Sequence, residues 1–248
     1  MITIDTIRLI RKDWQGEAIL GILDRAAFNN IPKKEVFLHN QELAYYKELQ
    51  YEQKRRSYLA GRYIAKKCLA QLSENENLDE IWIRSGVFDQ PVVSGGMPNP
   101  PSVSISHTKE VAACIVSPRE HPMGLDAEDI GFHKADIIES QLTSHEKSLC
   151  QDRNIDISHF YVFLWTAKEA LSKVLTTGLM TPLSIYQIET MNFYNDHIVS
   201  TFLNFGQYKA ITFWKNSTIF SIVLPKNTRY DILQDQQKAD KSYTSTLL

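Results

Sequence analysis

The apolar positions along the chain change their period several times, and each change marks an element. Ile2, Ile4, Ile7 and Leu9 alternate with polar residues and predict a strand over residues 2–10. Asn40 is placed to cap a helix running to about Leu49, and a second helix is predicted from Glu52 to Leu72, ahead of the polar run at 73–77. Residues 80–84 predict a short strand, and the Gly- and Pro-rich stretch Gly86 to Pro101 a loop. Strands are predicted at Val103–Ile105 and Val111–Val116. A third short run follows from Met123 to Leu125 and ends in Asp126, Glu128 and Asp129.

The second half changes to a helical period. Thr143 and Glu146 have capping-box spacing. Phe160, Phe163, Leu164, Ala167, Leu171, Val174 and Leu175 recur with a 3.6-residue period, which predicts a helix over Ser158–Thr176 with Gly178 as its stop signal. Four strand-like runs follow at 184–190, 197–203, 208–214 and 217–224, and the polar residues 231–248 predict a flexible tail. No internal repeat is visible in the residues. Both halves nevertheless combine helices with short strands, so the pattern predicts an α+β protein of two similar α/β lobes, residues 1–122 and 123–230.

Composition narrows the function classes. Hydrophobic residues make up 43% and charged residues 23% of 248 residues, enough for a folded core without covalent staples. The net charge of −2 gives no basic footprint, so neither nucleic acid nor an anionic membrane is expected as partner. Cys68, Cys114 and Cys150 are odd in number and form no CxxC pair, which points away from a disulfide framework or a zinc site. With neither a secretory leader pattern nor an apolar run near the ~18 residues of a membrane span, the expected compartment is the cytoplasm.

Four stretches carry candidate chemistry. Asp126 and Glu128, two apart on a strand, would present two carboxylates on one face, an arrangement that suits Mg²⁺ and phosphate oxygens. Trp165, Glu169 and Lys173, four apart, share a helix face and offer a third carboxylate with a lysine one turn on. His107 follows Ser104-Ile105-Ser106 at a strand end, where it can bind an anion or move a proton. Arg55, Arg62 and Lys66 fall on one helix face, a cradle for phosphate or an ordinary solvated surface. Taken singly, each has an unremarkable structural explanation.

Their order and spacing are specific. His107, then Gly124-Leu125-Asp126-Ala127-Glu128, then Trp165-Thr-Ala-Lys168-Glu169-Ala-Leu-Ser-Lys173 resembles the three-part signature of the 4'-phosphopantetheinyl transferase superfamily. Arg56 to Arg62 resembles the Arg-x-x-x-Ala-Gly-Arg helix found upstream in that family, and Gly178-Leu-Met-Thr-Pro-Leu resembles the segment after its last helix. The likeness covers residues 40–190. At this length it implies the long, single-chain Sfp type, with two α/β lobes related by a pseudo-two-fold and a monomeric state.

The resemblance also implies an activity: transfer of the 4'-phosphopantetheine group of coenzyme A to a serine of an apo acyl, peptidyl or aryl carrier protein, releasing 3',5'-ADP. It implies Mg²⁺, or Mn²⁺, held by Asp126, Glu128 and Glu169; Glu169 and Lys173 as catalytic residues; and Arg56, Ser57, Arg62, His107 and Lys173 as contacts to coenzyme A. Carriers of fatty-acid or secondary-metabolite synthesis are the implied partners. A relative that binds coenzyme A or a carrier without catalysis is the alternative. The adenosine end departs from the family pattern. Asp89-Gln90-Pro91 stands where many members have Gly-Lys-Pro, Ser104 where many have Asn, and Gln41 and Ala44 where some carry lysines.

Overall fold

The computed structural model describes residues 1–73, 76–95, 97, 99–131, 135–150 and 155–233. Its strands are β1 (Ile2–Arg11), β2 (Trp14–Asp24), β3 (Ile83–Ser85), β4 (Pro91–Val93), β5 (Ser102–His107), β6 (Val111–Ser117), β7 (Gly124–Asp129), β8 (Ile188–Phe193), β9 (His197–Phe202), β10 (Tyr208–Lys215), β11 (Thr218–Pro225) and β12 (Arg229–Leu233). Its α-helices are α1 (Asn40–Glu48), α2 (Glu52–Ser73), α3 (Ala135–Ser140), α4 (Ser144–Ser148) and α5 (Ile157–Val174). The α+β class predicted from the sequence holds.

The chain divides into two compact units. One is Met1–Met123 joined by the chain from Arg229, and the other is Gly124–Thr228. The first holds an antiparallel sheet in the order β12-β1-β2-β6-β5 and the two-stranded β3-β4. α2 lays Ile64, Ala65, Cys68 and Leu69 against Ile19 and Leu23 of β2 and Ala112, Cys114 and Val116 of β6. The second unit holds a sheet in the order β7-β11-β10-β9-β8. There α5 lays Phe160, Leu164, Ala167 and Leu171 against Ile198, Ala210, Ile219 and Val223. Each fully buried Leu, Ile, Val or Phe of these stripes contributes about 1.5–3 kcal/mol relative to exposure.

Some expected boundaries move. β2 is absent from the periodicity, because Gly16 and Gly21 interrupt it. Gly21 is required by close approach: a Cβ there would collide with Cys68 Sγ and lie 2.8 Å from Ile64 Cγ1. The Gly86–Pro101 loop contains β4, and the strand predicted from residue 184 begins at Ile188, after a 3-10 turn at Leu183–Tyr186. α5 ends earlier than predicted. Thr176, at φ 55°, takes the left-handed conformation two residues before Gly178, at φ 54°. Arg229 and Tyr230, expected in the second lobe, and residues 231–233, expected in the tail, form β12 on the edge of the first sheet. Residues 234–248 lie outside the described residues.

Candidate active site

β7 is an edge strand of the second sheet, paired to β11 with Asp126 opposite Ser221 and Glu128 opposite Ile219. Because alternate residues share a face, Gly124, Asp126 and Glu128 all turn toward α5. Gly124 lets the helix come close: a Cβ there would collide with the carbonyl oxygen of Ala170 and lie 2.8 Å from Val174 Cγ2. The glycine of the Gly-x-Asp-x-Glu run is therefore a packing requirement that brings helix and acids together.

α5 starts from Asp156, whose Oδ1 accepts the Ser158 backbone N–H at 2.8 Å; the Ser158 hydrogen bonds hold that carboxyl below its ordinary range. The four-residue spacing places Trp165, Glu169 and Lys173 on the face toward β7. Trp165 Nε1 donates to Glu128 Oε1 at 3.2 Å. Lys173 Nζ donates to Asp126 Oδ1 at 2.8 Å and to Leu125 O at 3.0 Å. Glu169, half-buried, stands on the helix between these two contacts.

Asp126 is buried and Lys173 is partly exposed, so the ammonium both neutralises the acid and remains open to solvent. Among the described residues, no three His, Cys, Asp or Glu side chains gather closely enough to hold a metal ion. The donor chemistry nonetheless suits a hard divalent cation: Asp126 and Glu128 offer carboxylate oxygens, and Asp126 accepts a cationic partner in Lys173.

The other predicted residues belong to the first unit. His107 ends β5, exposed, with Ala112 as its cross-strand partner. Thr108 closes the turn that follows, its Oγ1 accepting the backbone N–H of Glu110 at 3.0 Å and of Val111 at 3.2 Å. Ser104 and Ser106 are buried. Arg56 is exposed and lies 3.9 Å from Glu52; Ser57 is half-buried beside it. Arg62 lies 3.3 Å from Glu42 Oε1 and covers the Tyr58 ring at 4.8 Å.

The basic face of α2 has an internal role. Arg55 Nε donates to Leu49 O at 2.7 Å. Lys66 is fully buried, pairs with Glu42 and donates to Phe37 O at 2.7 Å and Leu78 O at 3.1 Å. Arg55, Arg62 and Lys66 thus fasten α2 to the segment holding α1, where the sequence left open a phosphate cradle. At the departing loop, Gln90 folds inward: its carbonyl accepts from Gly86 N–H at 2.7 Å and its Oε1 from Phe88 N–H at 2.9 Å. Gln41 and Ala44 are exposed on α1.

Sequence reasoning passed over two buried pairs, Glu42–Lys66 and Glu146–Lys168. Lys168 Nζ donates to both carboxylate oxygens of Glu146, at 2.9 and 3.0 Å, and both side chains are out of solvent. The signal of the Glu146–Lys168 pair lay in two separate places, the Thr143–Glu146 capping box and the lysine preceding Glu169. Burial holds Lys168 below the ordinary lysine range, with the Glu146 carboxylate opposing only in part.

Residues 122–233, which hold β7 and α5, match the family model of the 4'-phosphopantetheinyl transferase superfamily. The likeness to that superfamily model is confined to this segment. A 4'-phosphopantetheinyl transferase, gsp, of Aneurinibacillus migulanus is 29% identical over 133 residues, which take in 53% of this chain and 53% of that protein. The match thus spans about half the length of that transferase. A holo-(acyl-carrier-protein) synthase from Bacillus anthracis str. Ames in complex with CoA (3',5'-ADP) is similar over 46% of this chain and 96% of its own, at 22% identity and a TM-score of 0.34. The holo-[acyl-carrier-protein] synthase of Thermotoga maritima covers 57% of this chain and 76% of its own, at 16% identity and a TM-score of 0.31. Among the described residues, no helix is long and apolar enough to cross a membrane.

Proposed function

We propose that the chain is a Mg²⁺-dependent 4'-phosphopantetheinyl transferase that moves the phosphopantetheine arm of coenzyme A onto a serine of an apo carrier protein. One observation carries this: the Asp-x-Glu strand and the Trp-x-x-Lys-Glu helix, apart in sequence, form one polar cluster through Lys173–Asp126 and Trp165–Glu128. That cluster lies within the segment matching the superfamily.

In the proposed reaction the carrier serine Oγ forms a bond to the β-phosphorus of coenzyme A. The bond from that phosphorus to the bridging oxygen breaks, and 3',5'-ADP leaves with the electron pair. Glu169 takes the serine proton, and Lys173 faces the charge that gathers on the leaving phosphate. Asp126, Glu128 and Glu169 would hold Mg²⁺, which would offset the pyrophosphate charge. His107, Arg56, Ser57 and Arg62 are proposed contacts to coenzyme A.

Mass spectrometry of apo acyl, peptidyl and aryl carriers incubated with the chain, coenzyme A and Mg²⁺ tests the proposal. The expected result is a gain of one phosphopantetheine group on at least one carrier. No gain across the panel sinks it.

A further inference from the structure

Two buried clusters of one design stand apart from the acids of β7. In the second unit Thr143 caps α4, and Glu146 Oε2 accepts the Thr143 backbone N–H at 2.9 Å. Glu146 Oε1 accepts the N–H of Ile188, the first residue of β8, at 3.0 Å, and Lys168 of α5 meets both oxygens. In the first unit His39 caps α1, and Glu42 Oε2 accepts the His39 N–H at 2.9 Å. Glu42 Oε1 accepts the N–H of Ile83, the first residue of β3, at 3.3 Å, and Lys66 of α2 meets the same carboxylate. Each glutamate thus joins a helix cap, a long helix and a strand start.

We infer that the Glu146–Lys168 pair positions α5 for transfer, by fixing the helix rotation that turns Trp165, Glu169 and Lys173 toward β7. Adjacent helical residues point roughly 100° apart, so a side chain drawn inward at 168 sets the direction of its neighbour at 169. The anchor is stiff, because Lys168 and Glu146 are both fully buried and Glu146 is also held by two backbone donors. Its twin separates bracing from chemistry. Where Lys168 is followed by Glu169 and Lys173, Lys66 is followed by Lys67 and Gln71. The kinetic part of this inference rests on the transferase reading; the geometric part does not.

The test uses the full chain labelled with 5-fluorotryptophan. Its four tryptophans give four fluorine resonances, each assigned by a Trp→Phe variant. Trp165 reports on the face toward β7. Trp82, stacked on His39 at 5.6 Å and preceding Ile83, reports on the twin. Glu146→Gln is expected to move the Trp165 resonance and leave Trp82 in place, and Glu42→Gln to do the reverse. In the carrier assay Glu146→Gln should lower kcat about tenfold or more, while KM for coenzyme A stays within about threefold.

The paired variant Glu146→Gln with Lys168→Met removes the unpartnered charge. It should regain thermal stability while kcat and the Trp165 resonance stay displaced. An unmoved Trp165 resonance in folded Glu146→Gln overturns the inference, and so does recovery of kcat with stability in the paired variant. If Glu146→Gln does not fold, the paired variant decides alone by the same signs. If the parent chain modifies no carrier, the transferase reading falls and the resonances still decide the positioning.

Discussion

The two units are built on one scaffold and differ in what they hang on it. Both pack a long helix over a strand with a glycine beneath it, Gly21 of β2 and Gly124 of β7, and both lock that helix with a buried lysine on a capping glutamate. Two and four residues after the glycine stand Leu23 and Arg25 in the first unit, but Asp126 and Glu128 in the second. With Lys66 set against Lys168, Tyr63, Lys67 and Gln71 fall where the second unit has Trp165, Glu169 and Lys173. Gln71 donates to Thr6 Oγ1 at 3.0 Å, whereas Lys173 reaches a carboxylate. Scaffold and chemistry are therefore separable, and five side chains distinguish a polar cluster from a plain helix–sheet contact.

The largest break in the comparison should come from those side chains. Asp126→Ala is expected to cut transfer at least about a hundredfold, by removing both a proposed metal ligand and the partner of Lys173. Circular dichroism should show the fold intact, and transfer surviving in metal-limited buffer would refute the assignment of Asp126.

The braces come next. Removing one partner of a buried pair costs about 3–5 kcal/mol, and Lys168→Met should fall in that range by urea denaturation. Lys66→Met should cost less, because Glu42 keeps Arg62 at 3.3 Å while Glu146 keeps only backbone donors among the described residues. Equal losses would mean that Arg62 contributes nothing.

The glycines give a smaller contrast. Gly124→Ala meets a backbone carbonyl and should cost about 1–3 kcal/mol; Gly21→Ala meets the Cys68 and Ile64 side chains, which can shift, and should cost less. Thermal denaturation of the two variants gives the order.

The subtlest difference is a titration on α2 of the first unit. Burial pushes the Tyr58 phenol up to about 12, with the Arg62 cation opposing. The folded state then holds this proton more tightly than the unfolded chain, where tyrosine titrates near 10. The stabilisation is full below pH 10 and is lost as the pH rises toward 12. Phenolate absorbance should show a tyrosine ionising near pH 12, and Tyr58→Phe should remove that step.

What was legible in the chain was what local geometry repeats. The i, i+2 spacing of Asp126 and Glu128 and the i, i+4 spacing of Trp165, Glu169 and Lys173 are backbone periods, so the sequence pattern identified both faces. The Thr143–Glu146 cap was legible for the same reason. That Glu146 would bind Lys168, or that Arg62 and Lys66 would serve Glu42, depended on contacts between residues 20 or more apart, which no period encodes. His39 escaped notice because histidine is an uncommon helix cap.

β12 has a consequence for the order in which the protein is made. Among the described residues the second unit is one uninterrupted stretch of chain, whereas the first is opened at Met123 and closed only when Arg229–Leu233 pairs with β1. On the ribosome the strand that completes the first sheet is therefore made after the described part of the second unit. Until that strand emerges, β1 presents an unpaired edge to its surroundings, so a nascent chain stalled near Thr228 exposes an edge open to strand-pairing with a neighbour.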